Sequence, residues 1–212
     1  GDHRDLHSFP TRRSSDLELL FSNFHKERFE HWLNELSVGA DSNYLGKKVN
    51  SLSDGNRMKL MIAGVLARDT KMLLMDEPAS PLDPLMRDRL CDLIREYLLE
   101  EEGKRTVFFS THNIADMENV TDYAIIMSHG QIAEAGFVED LKEKYVMVKG
   151  EVKDLACAQK VLYSIHSTKY GYEGICLSEK LDELAGCDIS VETASLSQIS
   201  VAIMKHFASN AK

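Results

Sequence analysis

Two adjacent carboxylates, Asp76 and Glu77, end an apolar run and precede a proline. Such a run predicts a buried parallel strand that brings both acids to the carboxyl edge of a sheet, where open α/β folds bind ligands. Successive side chains on a strand point to opposite faces, so the two acids cannot have the same task. One suits a metal ion, because hard cations prefer oxygen ligands, and the other suits a water molecule.

Three short motifs accompany this acid pair in order along the chain. Residues 52–55 read Leu-Ser-Asp-Gly, residues 80–83 read Ser-Pro-Leu-Asp, and residues 108–112 read Phe-Phe-Ser-Thr-His. A helix that begins near Asn56 would point its first amides at an anion, Gly55 would let the backbone approach a phosphate, and Ser53 would add a hydroxyl donor. Singly, each motif is explained by a helix cap, a pair of surface acids or a structural histidine. Their order favours phosphate chemistry.

Together these motifs resemble the second half of an ABC-type ATPase, with its signature motif, Walker B motif, D-loop and H-loop. The resemblance implies that Asp76 holds Mg²⁺ through water. It also implies that Glu77 orients and deprotonates the attacking water, and that His112 contacts the γ-phosphate of ATP. Both catalysis and binding would then depend on charge and positioning, since phosphoryl transfer requires little covalent chemistry.

The same resemblance assigns residues that act across a dimer. Ser53 and Gly55 would bind ATP held by the opposite subunit, and Asp83 would couple the two sites. The signature departs from the family pattern, because Asp54 stands where a glycine is usual and Asn56 where glutamine is common. An acid beside a phosphate site is unexpected.

The elements that must position these residues alternate between helix and strand, which predicts an α/β fold with a parallel sheet and right-handed crossovers. By resemblance this is the C-terminal part of a P-loop NTPase (ABC ATPase) fold with a remnant of the helical subdomain. Asn23 is expected to cap the first helix. The predicted helices are 24–36, 57–68, 84–99 and 114–120, and the predicted strands are 71–75, 106–110, 123–127 and 131–135.

Beyond Gly136 the pattern predicts a small α+β appendage. Its expected helices are 138–144, 154–164 and 196–207, and its expected strands are 145–149, 170–177 and 189–192. Residues 144–150 and 194–199 resemble ATPases that serve ABC-2-type bacterial exporters. The expected domains are therefore 18–136 for a partial ATPase domain and 137–212 for the appendage.

Residues 7–17 show no periodicity of either kind and resemble a translated sequencing adapter, so we expect residues 1–17 to be an artefact or a disordered tail. No Gly-x-x-x-x-Gly-Lys-Ser/Thr phosphate loop occurs in the chain. We therefore expect an N-terminally truncated ATPase that is inactive alone.

Bulk composition narrows the class of protein further. A net charge of −9 argues against a nucleic-acid partner, and no apolar run is long enough to cross a bilayer. The cysteines at 91, 157, 176 and 187 show no metal-ligand spacing. Cys176 and Cys187 could be neighbours, but reduced thiols are expected.

The leading hypothesis is the ATP-binding and ATP-hydrolysing subunit of an ABC transporter. Export is the expected direction of transport. It would use ATP and Mg²⁺, pair with a second ATPase subunit as a homo- or heterodimer, and sit on the cytoplasmic face of the membrane through a permease subunit. The alternatives are an ABC-type translation factor, a chromosome-maintenance ATPase and a non-catalytic remnant.

Overall fold

The structure is a computed structural model that describes residues 21–38 and 49–210. The segment 1–17 lies outside the described residues. The chain divides into two compact units, one ending at Asp116 and the other beginning at Met117. The domain boundaries expected at 17 and 136 stay predictions.

The first unit combines three helices with two parallel strands. The helices are α1 (Lys26–Glu35), α2 (Asp54–Leu66) and α3 (Pro84–Leu99), and the strands are β1 (Met72–Asp76) and β2 (Thr106–Ser110). Short 3₁₀ turns cover Val49–Ser51 and Glu100–Gly103. The short helix α4 (Ile114–Met117) ends at the border of the two units.

The strands β1 and β2 pair in parallel, as the alternating pattern predicts. Their register places Leu74 opposite Phe108 and Asp76 opposite Ser110. The expectation that β1 is a buried strand is wrong for part of it, because Leu74 is 71% exposed and Phe108, its partner in β2, is 54% exposed. Leu73 is buried between exposed neighbours, so among the described residues only one face of this strand is covered.

The core of the first unit comes from α1 and α3. Phe29, Trp32 and Leu33 of α1 are buried at helical spacing, and α3 buries Leu90, Leu93, Ile94 and Tyr97. These stripes follow the apolar periodicity of the sequence. Burial of such side chains contributes roughly 1.5–3 kcal/mol each before entropy is counted.

A buried cation links the end of α3 to β2. The side chain of Arg105 is 3% exposed and forms ion pairs with Asp69 at 3.1 Å and Glu100 at 2.5 Å. Its guanidinium lies 4.8 Å from the centre of the Tyr97 ring. Glu100 also accepts hydrogen bonds from Arg28, which ties α1 to the same cluster.

The second unit begins with a hairpin and continues into an antiparallel sheet. Strands β3 (Tyr123–Ser128) and β4 (Gln131–Phe137) form the hairpin, and the sheet order is β6-β7-β5-β8. These strands are β5 (Tyr145–Gly150), β6 (Tyr163–Ser167), β7 (Tyr172–Leu177) and β8 (Ile189–Thr193). The helices are α5 (Val138–Lys144), α6 (Leu155–Ala158) and α7 (Leu196–Asn210).

Two local predictions are wrong. The helix expected at 154–164 ends at Ala158, and the residues after it form β6, because Tyr163 and Ile165 alternate as in a strand and pairing with β7 overrides local helix preference. Asn23 does not cap α1. His25 stands at the N-cap without a side-chain bond, while the Asn23 amide donates to the carbonyl oxygen of Asp69.

The four cysteines are free thiols. The thiol in contact with Cys187 is that of Cys157 rather than Cys176. Within the described ranges, no helix has the length and apolar character needed to cross a membrane.

Candidate active site at the carboxyl edge of the parallel strands

The two parallel strands end side by side and present a pair of polar side chains. Asp76 is the last residue of β1 and faces Ser110, the last residue of β2. The Ser110 hydroxyl donates a hydrogen bond to Oδ1 of Asp76. Parallel register alone brings these residues together, since the carboxyl ends of parallel strands lie at one edge.

Glu77 leaves the strand direction immediately after Asp76. Its φ is 49°, a left-handed conformation that is uncommon for residues other than glycine. Its amide donates to the carbonyl oxygen of Ser110 at 2.9 Å, so the turn is anchored to β2. The prediction that both acids lie on the strand therefore holds for Asp76 only. Asp76 and Glu77 therefore have different partners, Ser110 for the first and His112 for the second. The left-handed turn causes this difference, whereas the sequence pattern predicted it from the alternation of side chains along a strand.

The Glu77 carboxylate is held at both of its oxygens by the segment after β2. Oε1 accepts from the His112 amide at 2.8 Å and lies 2.7 Å from His112 Nδ1. Oε2 accepts from the Thr111 hydroxyl at 3.2 Å. Glu77 and His112, the two predicted catalytic residues, are thus in direct contact.

These contacts decide the protonation state of Glu77. Partial burial disfavours the charged carboxylate, but hydrogen bonds from the side chain and amide of His112, its charge, and the Thr111 hydroxyl outweigh burial. They hold the pKa of Glu77 below its ordinary value. The carboxylate is therefore ionised at neutral pH, as a residue that accepts a proton from water must be.

A hydrogen-bonded path extends from Glu77 to the D-loop. The Thr111 hydroxyl accepts from the Asn113 amide at 3.0 Å, and the Asn113 side chain donates to Asp116. Asp116 forms an ion pair with Arg87 at 2.7 Å. Arg87 Nε then donates to the carbonyl oxygen of Leu82 at 2.8 Å. Arg87 and Asp116 therefore connect the loop 80–83 to the segment that holds Glu77.

Asp83 ends the D-loop and begins α3. Its side chain accepts from the Met86 amide at 3.1 Å, so it is the N-cap of the helix, and Pro84 follows at the first helical position. This arrangement satisfies a helix-end donor and fixes where the loop ends. The role of Asp83 in dimer coupling stays a prediction.

The signature motif forms the start of α2. The Ser53 hydroxyl accepts from the Asn56 amide at 3.3 Å, which makes Ser53 the N-cap, and the helix begins at Asp54 rather than Arg57. A Cβ atom on Gly55 would lie 3.0 Å from the carbonyl oxygen of Pro81. The absence of a side chain at Gly55 therefore lets the D-loop approach the helix start.

Asp54, the unexpected acid of the signature, is exposed and forms an ion pair with Arg57 at 3.2 Å. An acid in the first turn of a helix interacts favourably with the positive end of the helix dipole. This contact explains its tolerance in the free chain. The charge remains at the helix end where the resemblance places a phosphate.

The described residues contain no group of three or more histidine, cysteine, aspartate or glutamate side chains that could hold a metal ion. Asp76 offers one exposed carboxylate beside the Ser110 hydroxyl. This donor set fits Mg²⁺, which commonly takes one or two carboxylates and completes its octahedron with water and phosphate oxygens.

Sequence reasoning missed four residues of this arrangement: Ser110, Thr111, Arg87 and Asp116. Ser110 and Thr111 stand within the motif that supplied His112, so their position was visible although their partners were not. Arg87 and Asp116 carry no motif of their own, and only the folded structure pairs them.

Comparison with known proteins finds similarity to ATP-binding proteins of ABC transporters. The family model described as ABC transporter matches residues 4–80, a range that includes the whole segment 7–17 expected to be an adapter. Its homologues are ATP-binding proteins of ABC transporters. The energy-coupling factor transporter ATP-binding protein EcfA2 of Enterococcus faecalis is 29% identical over 148 residues, which cover 70% of this chain and 50% of that protein.

A second ABC relative is the phosphate import ATP-binding protein PstB 2 of Listeria monocytogenes. It is 38% identical over 97 residues, which cover 46% of this chain and 34% of that protein. The chain thus spans about half the length, or less, of these relatives. The range matched by the ABC transporter model includes residues 52–55 and the acid pair Asp76–Glu77.

Solved structures agree on the fold. A cobalt transport ATP-binding protein aligns with a TM-score of 0.54 at 19% identity, covering 81% of this chain and 61% of that one. A bacterial Atm1-family ABC exporter aligns with a TM-score of 0.51 at 18% identity, covering 60% of this chain and 23% of that one. The aligned part of the chain has the fold of an ABC ATPase cassette.

Proposed function

We propose that this chain carries the hydrolytic half of an ATPase subunit that powers an ABC transporter. Glu77 accepts a proton from the attacking water, and His112 positions Glu77 and faces the terminal phosphate. Asp76 holds Mg²⁺ through water. Ser53 and Gly55 bind ATP held by a second subunit, and Asp83 lies where the two subunits meet.

The observation that carries this proposal is the contact of Glu77 with His112 and Thr111. An ionised carboxylate whose two oxygens are fixed by hydrogen bonds is oriented before substrate arrives, so little reorganisation is needed during the reaction. A general base of this kind typically contributes about 10²–10⁴-fold to the rate.

The test uses a complete subunit, in which this chain follows a segment with a phosphate loop. Glu77→Gln should lower ATP hydrolysis about 10²–10⁴-fold and keep ATP binding, because the amide preserves shape and loses basicity. The variant should also trap an ATP-bound dimer, visible by size-exclusion chromatography. Unmodified hydrolysis by this variant, or a monomer with ATP bound, would show that Glu77 is not the base.

The chain alone is expected to bind ATP weakly and not to hydrolyse it. The phosphate-loop amides and lysine that cradle the β- and γ-phosphates are absent from its sequence. Equilibrium binding of a fluorescent ATP analogue tests this directly. Magnesium-dependent turnover by the purified chain that disappears in the Glu77→Gln variant would refute it.

The proposed partner is a membrane permease that contacts the first unit around α1. A surface groove of about 590 Å³ there is lined by Glu27, Arg28, His31, Trp32 and Glu100. The indole nitrogen of Trp32 is buried and has no hydrogen-bond partner among the described residues. A buried donor without a partner is costly, and a small movement of the groove on binding would let a partner chain satisfy it. A permease bound there would hold the subunit at the cytoplasmic face of the membrane.

Two variants of the complete subunit separate this contact from the second unit. Trp32→Phe removes the indole N–H and one ring of a side chain that lines the groove, so it should weaken co-purification with the permease. Circular dichroism of the variant checks that the fold is kept. Deletion of 151–212 should leave co-purification intact. If the deletion abolishes co-purification while Trp32→Phe does not, the permease contact lies in the second unit.

Export is the proposed direction of transport. It is supported by the resemblance of residues 144–150 and 194–199 to ATPases of ABC-2-type exporters. Uptake and efflux assays in a cell with and without the gene distinguish the directions, and loss of uptake alone would overturn export.

A further inference from the structure

The second unit holds two thiols in contact that the proposed function does not use. Cys187 lies close enough to Cys157, about thirty residues earlier in the chain, for the two thiols to interact electrostatically. Cys157 stands on α6 and is exposed, whereas Cys187 follows a 3₁₀ segment and is partly exposed. The other two cysteines, Cys91 and Cys176, are buried.

Neighbouring contacts hold these two segments together independently of the sulfur atoms. The amide of Asp188 donates to the Asp154 carboxylate at 3.1 Å, and Lys153 lies 3.6 Å from Asp188. Asp154 is three residues before Cys157, one helical turn away on the same face, and Asp188 directly follows Cys187. These contacts hold the two segments that carry the thiols beside each other.

We propose that Cys157 and Cys187 form a reversible intramolecular disulfide when the protein meets a small-molecule disulfide oxidant. The Cys157 thiolate attacks one sulfur of glutathione disulfide, forms a mixed disulfide and releases one glutathione thiolate. The Cys187 thiolate then attacks the Cys157 sulfur and expels the second glutathione. Both cysteines are oxidised and the oxidant is reduced to two glutathione thiolates, which take up through solvent the two protons that the cysteine thiols lose.

The surroundings assign these two roles. Cys157 is the more exposed thiol and meets the oxidant first. Partial burial, the contact with Cys157 and the charge of Asp154 raise the pKa of Cys187, which suits a resolving thiol better than an attacking one. The assignment depends on exposure and contact, with the pKa direction in agreement.

Closing the bond would restrain the core of the second unit. The enclosed loop contains Val161, Leu162, Tyr172, Cys176 and Leu184, which belong to one buried cluster. A cross-link over about thirty residues removes conformations from the unfolded chain and stabilises the folded unit. Such a bond in a reducing compartment marks a redox response rather than a permanent structural link.

The experiment treats the native 212-residue chain with glutathione disulfide and maps its peptides by mass spectrometry without reduction. We expect one cross-linked peptide pair that joins Cys157 to Cys187, lighter than the reduced pair by two hydrogen atoms. The melting temperature of the second unit should rise by about 5 °C or more and return with dithiothreitol.

Single substitutions supply the controls. Cys157→Ser and Cys187→Ser should each abolish the cross-link and the rise in melting temperature, whereas Cys91→Ser should abolish neither. A stable glutathione adduct on Cys157 with Cys187 still free would overturn the proposal. A Cys157-linked dimer in place of the internal bond would overturn it equally.

Discussion

The β1–β2 sheet and the β5–β8 sheet differ in how completely each buries its apolar residues. In the β1–β2 sheet, Leu74 and Phe108 are exposed on one face. In the antiparallel sheet, Tyr145, Met147 and Val148 are buried, and the sheet adjoins a closed cluster of core residues. The β1–β2 sheet, which leaves one face exposed, nevertheless holds Asp76, Glu77 and His112 in hydrogen-bonded positions at its carboxyl edge. Strand register and local turns therefore determine these positions more than complete burial of the sheet does.

Removal of the buried cation of the first unit should give the largest change in stability. Arg105→Met breaks ion pairs with Asp69 and Glu100, and we expect a loss of about 2 kcal/mol, less than for a fully buried pair because both acids retain water. Trp32, the single tryptophan, lies in the first unit, so its fluorescence during urea unfolding reports that unit.

Arg95→Met, in the same unit, is the matched control for this measurement. Arg95 pairs with Asp92 at 2.8 Å on the surface of α3, so its loss should change stability by less than about 0.5 kcal/mol. If Arg105→Met and Arg95→Met shift the Trp32 transition equally, the buried cation makes no special contribution to the first unit.

The path from the D-loop to Glu77 should matter for catalysis. In a complete subunit, Arg87→Gln should lower kcat about tenfold with little change in KM, since a charge-assisted link is worth roughly 1.5–3 kcal/mol and the ATP contacts are untouched. Arg87→Lys should restore part of the rate.

Arg89→Gln, on the same helix, is the control for that change. Arg89 pairs with Glu35 and Glu96 away from this path and should leave kcat unchanged. If Arg87→Gln and Arg89→Gln lower kcat equally, Arg87 contributes to the stability of the helix in general and not to catalysis through this path.

The sequence predicted which residues lie at the carboxyl ends of the parallel strands, because these residues directly follow apolar runs along the chain. Asp76, Glu77 and His112 were located because each follows a recognisable apolar strand, and the Ser53 cap follows from its residue type. It could not predict the left-handed turn at Glu77 or the Arg87–Asp116 pair, since both depend on which strands lie side by side. The expected helix 154–164 failed for the same reason: pairing with β7 decides the state of Tyr163 and Ile165.

Gly55 gives a smaller test of how the signature and D-loop fit together. Gly55→Ala should cost about 0.5 kcal/mol, because contact with the Pro81 carbonyl outweighs the gain in helix preference. Gly136→Ala in the second unit, whose Cβ would meet only the Leu141 side chain at 3.5 Å, should be neutral or stabilising. Chemical denaturation of both variants checks the difference, and the reverse order would refute the close approach.

The smallest expected effect is a dependence of the stability of the second unit on pH. Burial opposes ionisation of Glu134, but hydrogen bonds from Lys144, Tyr145 and Ala135 keep its pKa below the ordinary 4.5. Its contribution is complete above pH 4.5 and is lost as the pH falls through the folded-state pKa, by a few tenths of a kcal/mol. Glu134→Gln should flatten this part of the curve of unfolding free energy against pH, and an unchanged slope would contradict the assignment.

Hydrogen exchange at the His112 amide tests most directly whether the polar edge is assembled in this chain. The amide donates to Glu77 Oε1 at 2.8 Å while its neighbours in β2 bond to β1, so NMR can follow it separately. We predict slow exchange in the native chain, fast exchange in Glu77→Ala with the protection of β2 retained, and near-native protection in Glu77→Gln, which keeps an acceptor oxygen. Fast exchange in the native chain, or protection that survives Glu77→Ala, would contradict the account.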